Sequence, residues 1–358
     1  MDIRLTLEEA VKNHASDIFI IAGKALSYKT NGCLVSMGEK LLPPDTESLI
    51  RQIYDLASRD ICLLEKNLDD DFSFSLASMG RFRVNTFMQR GSMAAVLKVV
   101  LFQLPDPSVL RIPKQVIDLY EKTKGFILVT GPTGSGKSTT LACLIDKINK
   151  TRESHIITLE DPLEFLHKHD KSIVSQREVY MDTPSYERGL RAALREAPNV
   201  ILLGEMRDLE TISIALSAAE TGQLVFSTLH TLGAANTVDR IVDVFPANQQ
   251  RQVRIQLSMV LQAVISQQLI PSTKGTLVPA FEIMLCNNAI RNMIRESKVH
   301  QIDSTIYSSA EAGMVSMDSS IYNLYSEGLI TAENAVAHSM NPDAMKKKLG
   351  LKSEPVIP

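Results

Sequence analysis

Two rhythms of apolar and polar positions divide the chain. In the first hundred residues the apolar positions come in short, separated groups. Residues 5–14 have helical spacing, 17–22 and 26–30 read as short strands, and Asn31-Gly32 marks a hairpin turn. Helical spacing returns at 46–56. Phe72, Phe74 and Leu76 alternate with serines, the pattern of a strand with one buried face. Two further strands, 82–87 and 94–100, complete a mixed α+β unit.

A different rhythm follows residues 103–113, QLPDPSVLRIP. Three prolines there deny both helix and ladder hydrogen bonds, which predicts a linker. Beyond it, residues 126–130, 156–159, 200–203 and 224–228 are apolar without strict alternation. Strands of that kind are buried on both faces, as in a parallel sheet. The intervening segments 137–149, 184–196 and 209–219 have helical composition, so the pattern is doubly wound α/β. From Asn248 the chain reads as helical. Val253, Leu257, Val260, Leu261, Val264 and Ile265 form one apolar stripe, and further helices are expected at 288–296, 318–327 and 331–337. Residues 341–358 read as a solvated polar tail.

Composition narrows the function classes. The 358 residues suit two or three domains of about 150 each. With 44% hydrophobic and 22% charged residues, disorder is excluded as the main state. Lys and Arg number 38 against 41 Asp and Glu, a net charge of −3, which argues against a surface that grips nucleic acid or acidic lipid throughout. Cys33, Cys62, Cys143 and Cys286 are isolated, so neither a disulfide scaffold nor a sequence-local zinc knuckle is expected. The N-terminus has no apolar core after a basic start, unlike a signal peptide. The longest uncharged run, between Arg254 and Lys274, is interrupted by glutamines, serines and Pro271, unlike a membrane span. A cytoplasmic protein is expected.

The strongest chemical signal is GPTGSGKS, which fits GxxxxGK[ST] between an apolar strand and a helix. Gly131, Pro132, Thr133, Gly134, Ser135 and Gly136 form the loop, and Lys137, Ser138 and Thr139 open the helix. Glycines let the backbone wrap a phosphate, and successive N–H groups then point at the anion. Lys137 supplies charge for the β- and γ-phosphates of ATP, and the Ser138 hydroxyl suits Mg²⁺. Two other strand ends supply acids, in Glu160-Asp161-Pro162-Leu163-Glu164 and Gly204-Glu205. Hydrolysis needs Mg²⁺ held in place and a water aligned for in-line attack, and one carboxylate can serve each task. His230 follows a third strand end near the same crevice.

With these elements placed, the chain resembles the PilT family, the type IV pilus retraction (twitching motility) ATPases of the bacterial secretion ATPase superfamily. GPTGSGKSTTLA, TLEDPLEF (158–165), ILLGEMRDLETI (201–212) and TGQLVFSTLHT (221–231) resemble its phosphate loop, aspartate box, second nucleotide motif and histidine box. ASDIFIIAG (15–23) and GRFRVNTFMQRG (80–91) resemble its N-terminal PAS-like domain, and AIRNMIRE (289–296) resembles its retraction-specific helix. The resemblance implies a PAS-like N-terminal domain (1–102), the linker, and a RecA-like P-loop ATPase domain with C-terminal helices (114–340). It implies a homo-hexamer, peripheral to the inner membrane, that couples ATP hydrolysis to domain rotation. Its partners would be an inner-membrane pilus platform protein and a paralogous retraction ATPase, with no nucleic acid. Ser138 would bind Mg²⁺ and Glu205 would hold it through water, Glu164 would orient or deprotonate the attacking water, and His230 would sense the γ-phosphate. Arg81 and Arg83 would be arginine fingers.

Four positions depart from the family pattern. Gln223 stands where His is usual, Ala197 and Asn199 stand where acids are usual, and Lys98 stands where Arg is common. Lys lacks the planar fork of Arg, so a bidentate phosphate contact would weaken. Pattern alone would also make Arg291 and Arg295 the solvated side of an ordinary amphipathic helix.

Overall fold

The structure, a computed structural model, describes residues 2–30, 33–76, 79–100, 104–206 and 208–351. Asn31-Gly32, Gln103, Arg207 and the last seven residues of the expected tail lie outside the described residues. Chain contacts separate two units, Met1–Gln103 with Glu164–Leu166, and Leu104–Leu163 with His167–Pro358.

The first unit runs α1 (Ile3–Lys12), β1 (Asp17–Ile20), β2 (Ala25–Thr30), β3 (Cys33–Lys40), α2 (Pro43–Leu56), α3 (Cys62–Asn67), β4 (Asp69–Leu76), β5 (Gly80–Gln89) and β6 (Ser92–Val100). Its sheet is antiparallel in the order β3-β2-β1-β6-β5-β4. One face turns Phe72, Phe74, Phe82, Val84 and Leu97 into a core with Leu7 of α1 and Ile50 and Ile53 of α2. Because strand side chains alternate, Arg81 and Arg83 fall on the opposite face from Phe82 and Val84. Arg83 is paired with Ser73 on one side and Lys98 on the other. The strand β3 was not legible in sequence. It is a sheet edge with no fully buried position, so it carries no apolar alternation.

The second unit runs α4 (Lys114–Ile117), β7 (Gly125–Thr130), α5 (Lys137–Thr151), β8 (His155–Glu160), β9 (Ile173–Glu178), α6 (Tyr186–Ala193), β10 (Val200–Leu203), α7 (Leu209–Glu220), β11 (Leu224–Leu229), α8 (Ala234–Asp243) and α9 (Ala247–Val260). It continues through β12 (Leu261–Pro271), β13 (Leu277–Leu285), α10 (Asn288–Arg295), α11 (Ile302–Ser308), α12 (Met317–Ser326), α13 (Ala332–His338) and α14 (Pro342–Lys348). The sheet order is β13-β12-β7-β11-β10-β8-β9, with β13 antiparallel to an otherwise parallel array. Both faces are covered. Phe126 and Leu128 of β7 enter a core with α7, α8 and α9, while Ile127 and Val129 enter another with α5.

Two expectations are corrected here. The stripe read as one helix from 248 ends at Val260, and Leu261–Pro271 is strand β12. Leu261 and Val264 enter one core and Ala263 and Ile265 the other, so both faces are apolar, no apolar–polar alternation marks the strand, and it cannot be told from a buried helix by periodicity. The stretch from 341 is not a solvated tail over its whole described length. Asn341 caps α14 by accepting the amide of Ala344, and Met345 is buried against Ile270 and Met317.

Parallel order fixes where the loops emerge. The loops after β7, β11, β10 and β8 leave the same edge of the sheet side by side, and they carry the phosphate loop, His230, Glu205 and Glu160–Glu164 respectively.

Candidate nucleotide site

The phosphate loop closes tightly between β7 and α5. A Cβ on Gly131 would lie 2.1 Å from the carbonyl oxygen of Gln267 on β12, so no side chain fits where loop and strand meet. Gly136 is the N-cap of α5 and offers no side-chain acceptor to the first amides of the helix. Those amides and the helix dipole therefore face the loop. Lys137 is buried, and its Nζ donates to Gly131 O at 2.9 Å and Pro132 O at 3.0 Å, which holds the ammonium within the cradle. Ser135 Oγ is buried beside Gly131 and has no hydrogen-bond partner among the described residues. A buried hydroxyl, a contained cation and the uncapped first amides of α5 suit a bound phosphate.

The second motif meets the histidine. Glu205 Oε2 lies 3.1 Å from His230 Nε2. The two residues follow adjacent parallel strands, in which Leu203 pairs with Ser227 and, on the other side of β11, Leu229 pairs with Thr130. An ionised carboxylate can only accept, so Nε2 carries the hydrogen and Nδ1 is left for other groups. Thr228 Oγ1 donates to Gly204 O and fixes the turn that aims Glu205. Gly204 occupies the place where the usual motif has Asp. A Cβ there would lie 2.8 Å from Tyr186 Oη and 3.3 Å from Glu160 Cα, so a side chain at this position would press on α6 and β8.

A groove of about 390 Å³ opens beside the loop, bounded by Arg111, Gly136, Thr139, Gln267, Leu269 and Pro279. Its position next to Thr139 suits the nucleoside part of a nucleotide. Gln267 takes part in both features. Its Oε1 accepts from Thr140 Oγ1 at 2.8 Å, and the side chain is almost fully buried. Sequence reasoning missed Gln267, although paired glutamines inside an otherwise apolar run were the available signal.

The other expected residues stand on other elements. Glu160 is half-buried at the end of β8, with Gln176 Nε2 at 3.5 Å. Glu164 is exposed in the following loop, within the three residues that group with the first unit. Arg81 and Arg83 stand on β5 of the first unit, with Arg81 Nη1 at 3.5 Å from Ser75 Oγ. Lys98 lies on β6 directly opposite Arg83. Asn199 Oδ1 accepts from His155 N, and Asn199 O accepts from Leu224 N. Gln223 O accepts from Gly125 N. Asn199 and Gln223 therefore sit at the amino ends of the strands, across the sheet from the phosphate loop, and Ala197 lies in the same connection. All four cysteines are free thiols. Among the described residues no helix is long and apolar enough to cross a membrane.

Among the described residues no group of three or more His, Cys, Asp and Glu gathers as a metal cluster. Mg²⁺ nevertheless fits the donors present, since it takes one or two protein oxygens and completes its shell with water and phosphate. The Ser138 hydroxyl at the start of α5 and the Glu205 carboxylate are hard oxygen donors of that kind.

The type II/IV secretion system protein family matches residues 1–324. The type IV pilus retraction ATPase PilT of Pseudomonas aeruginosa is 44% identical over 340 residues, covering 94% of this chain and 97% of that protein. This chain belongs to the PilT family of type II/IV secretion system proteins. Another relative, the type IV pilus ATPase PilU of the same organism, is 36% identical over 99% of this chain and 93% of its own. A crystal structure of the pilus retraction motor PilT with bound ADP superposes with a TM-score of 0.88 at 48% identity, covering 97% of this chain and 99% of that one. PilT-family membership accounts for a nucleotide site built on the phosphate loop.

Proposed function

We propose that the chain is the subunit of a homo-hexameric, Mg²⁺-dependent ATPase that powers type IV pilus retraction, the pilin depolymerisation behind twitching motility. It would work at the cytoplasmic face of the inner membrane, against a pilus platform protein and beside a paralogous retraction ATPase. Residues 1–102 serve as a PAS-like domain, 103–113 as linker and 114–340 as the motor domain. The support is one arrangement: a complete phosphate loop on a helix N-terminus, with a Glu205–His230 pair emerging from neighbouring strand ends.

In this reading, the amides of Thr133, Gly134 and Gly136 and the Lys137 ammonium bind the β- and γ-phosphates of ATP, and Thr139 lies by the nucleoside groove. Ser138 directly and Glu205 through water would hold Mg²⁺, which would supply positive charge to the phosphates. His230, aligned by Glu205, senses the γ-phosphate, and Glu164 orients or deprotonates the attacking water. Arg81 and Arg83 counter the charge that develops in transfer. The test is steady-state ATP hydrolysis by the purified hexamer. Activity that needs Mg²⁺ and disappears in Lys137→Ala supports the reading; hydrolysis no faster than that variant overturns it.

A further inference from the structure

Strand β13 carries one acid into the interior. Glu282 is 5% exposed and faces the N-termini of two helices. Its Oε1 accepts the amide hydrogen of Ala234, the first residue of α8, at 2.7 Å. Its Oε2 accepts that of Met317, the first residue of α12, at 3.4 Å. The N-cap of α8 is Gly233, which has no side chain to offer, so a carboxylate from a distant strand takes the place of a local cap. At α12 the N-cap Ser316 is engaged with Ser319 N, which leaves the Met317 amide to Glu282. Burial pushes the Glu282 carboxyl above its ordinary range, and the two amides work in the opposite direction. Aligned helix dipoles also favour a negative charge at that place.

What this carboxylate steadies is the loop between His230 and α8. The preceding amide, Gly233 N, donates to Ser266 Oγ of β12 at 3.0 Å. Thr237 Oγ1 reaches Gly233 O at 2.7 Å and lies 2.8 Å from Thr231 Oγ1. Asn236 Nδ2 donates to Leu232 O at 2.9 Å, so the loop is fastened at every step from Thr231 to Ala234, and its other end presents His230 to Glu205. On the other side, α12 is tied onward, because Asp318 accepts the amides of Met340 and Asn341 ahead of α14.

We propose that Glu282 is a positioning residue of the ATPase site: by capping α8 and α12 with one carboxylate it holds the loop that presents His230 and joins that loop to the C-terminal helices. The inference rests on the reading that His230 acts in hydrolysis. Glu282 touches no reacting atom, so its effect must pass through the imidazole.

The experiment is a double-mutant cycle on the full-length protein, read as kcat, KM for ATP and Tm. Glu282→Gln keeps the shape and removes the buried charge, but its single carbonyl oxygen replaces two acceptors. The expected result is a fall in kcat of about 5- to 20-fold, KM unchanged within about twofold, and a Tm lowered by only a few degrees, because one of the two amides loses its acceptor. On a His230→Ala background the same change should cost no further factor, since both act through one group. Ser266→Ala, which frees the neighbouring amide of the same loop, should behave likewise and decides the matter where Glu282→Gln does not fold. An unchanged kcat in a folded variant, or a loss that multiplies in full with His230→Ala, overturns the role of Glu282 and leaves His230 standing. A His230→Ala protein as active as the parent overturns the reading of His230 itself, and the Glu282 route with it.

Discussion

His230 Nε2 and Glu205 Oε2 are 3.1 Å apart and join the ends of two adjacent parallel strands. In the proposed reading the pair gives the second nucleotide motif two tasks at one point, a hard oxygen for Mg²⁺ and an anchor for the imidazole. Glu205→Gln keeps the shape and loses the charge. It is expected to lower kcat by about 100-fold or more while nucleotide binding persists, because the phosphate loop is untouched. Single-turnover hydrolysis measured beside equilibrium binding of a fluorescent nucleotide checks this. Weakened binding with unchanged turnover would contradict it.

Gly204 is the price of presenting Glu205 beside α6. Gly204→Ala should destabilise the protein by about 1–3 kcal/mol, because the added carbon meets Tyr186 Oη at 2.8 Å. In a Tyr186→Phe background the nearest obstacle is gone and the remaining approach is Glu160 Cα at 3.3 Å, so the cost should shrink. Thermal melts of the two singles and the double test it. An undiminished cost in the double would show that the hydroxyl is not the obstacle.

Arg291 differs from the solvated charge that helical spacing alone suggests. Its Nη1 donates to Ser258 O at 2.6 Å and Met259 O at 2.8 Å, two carbonyls in the last turn of α9. A cation at a helix C-terminus satisfies carbonyls the helix leaves open and complements its dipole. Arg291→Ala should cost about 2 kcal/mol, whereas Arg295→Ala, at an exposed position, should stay within about 0.5 kcal/mol. Chemical denaturation of both variants separates them. Equal small effects would return Arg291 to the solvated face.

His167 should make stability sensitive to acid. Burial lowers its pKa from 6.5 to about 4, with Asp146 raising it and Lys150 lowering it to lesser extents, and its Nδ1 is buried without a partner among the described residues. The unfolded chain therefore binds the proton first. Stability is full above about pH 6.5 and falls as pH drops toward 4, by about 3 kcal/mol from this group. His167→Gln should flatten that part of the profile. An identical slope in both proteins would contradict the assignment.

The nucleotide loop was legible because its chemistry is local: the spacing of Gly131, Gly136 and Lys137 states a backbone conformation and a charge within eight residues. Glu205 and His230 were legible as acids and imidazole at strand ends, and parallel order then brings them together. β9 was not legible, since Ile173–Glu178 has the composition of an edge and lacks an apolar run. β12 was misread because burial on both faces erases the period that separates strand from helix. Gln267, Glu282 and Arg291 act across the fold. Glu282 reaches an amide 48 residues earlier, and no spacing in a single sequence announces that an acid in an apolar strand will cap a remote helix.

The central claim is tested most directly in cells. A strain of the source bacterium lacking this gene would be complemented with wild-type or Glu205→Gln protein, and surface pili and twitching motility scored. The account predicts excess, non-retracting pili in the deletion, restored motility with wild type, and no restoration with Glu205→Gln. A deletion without pili, or motility restored equally by Glu205→Gln, would contradict it.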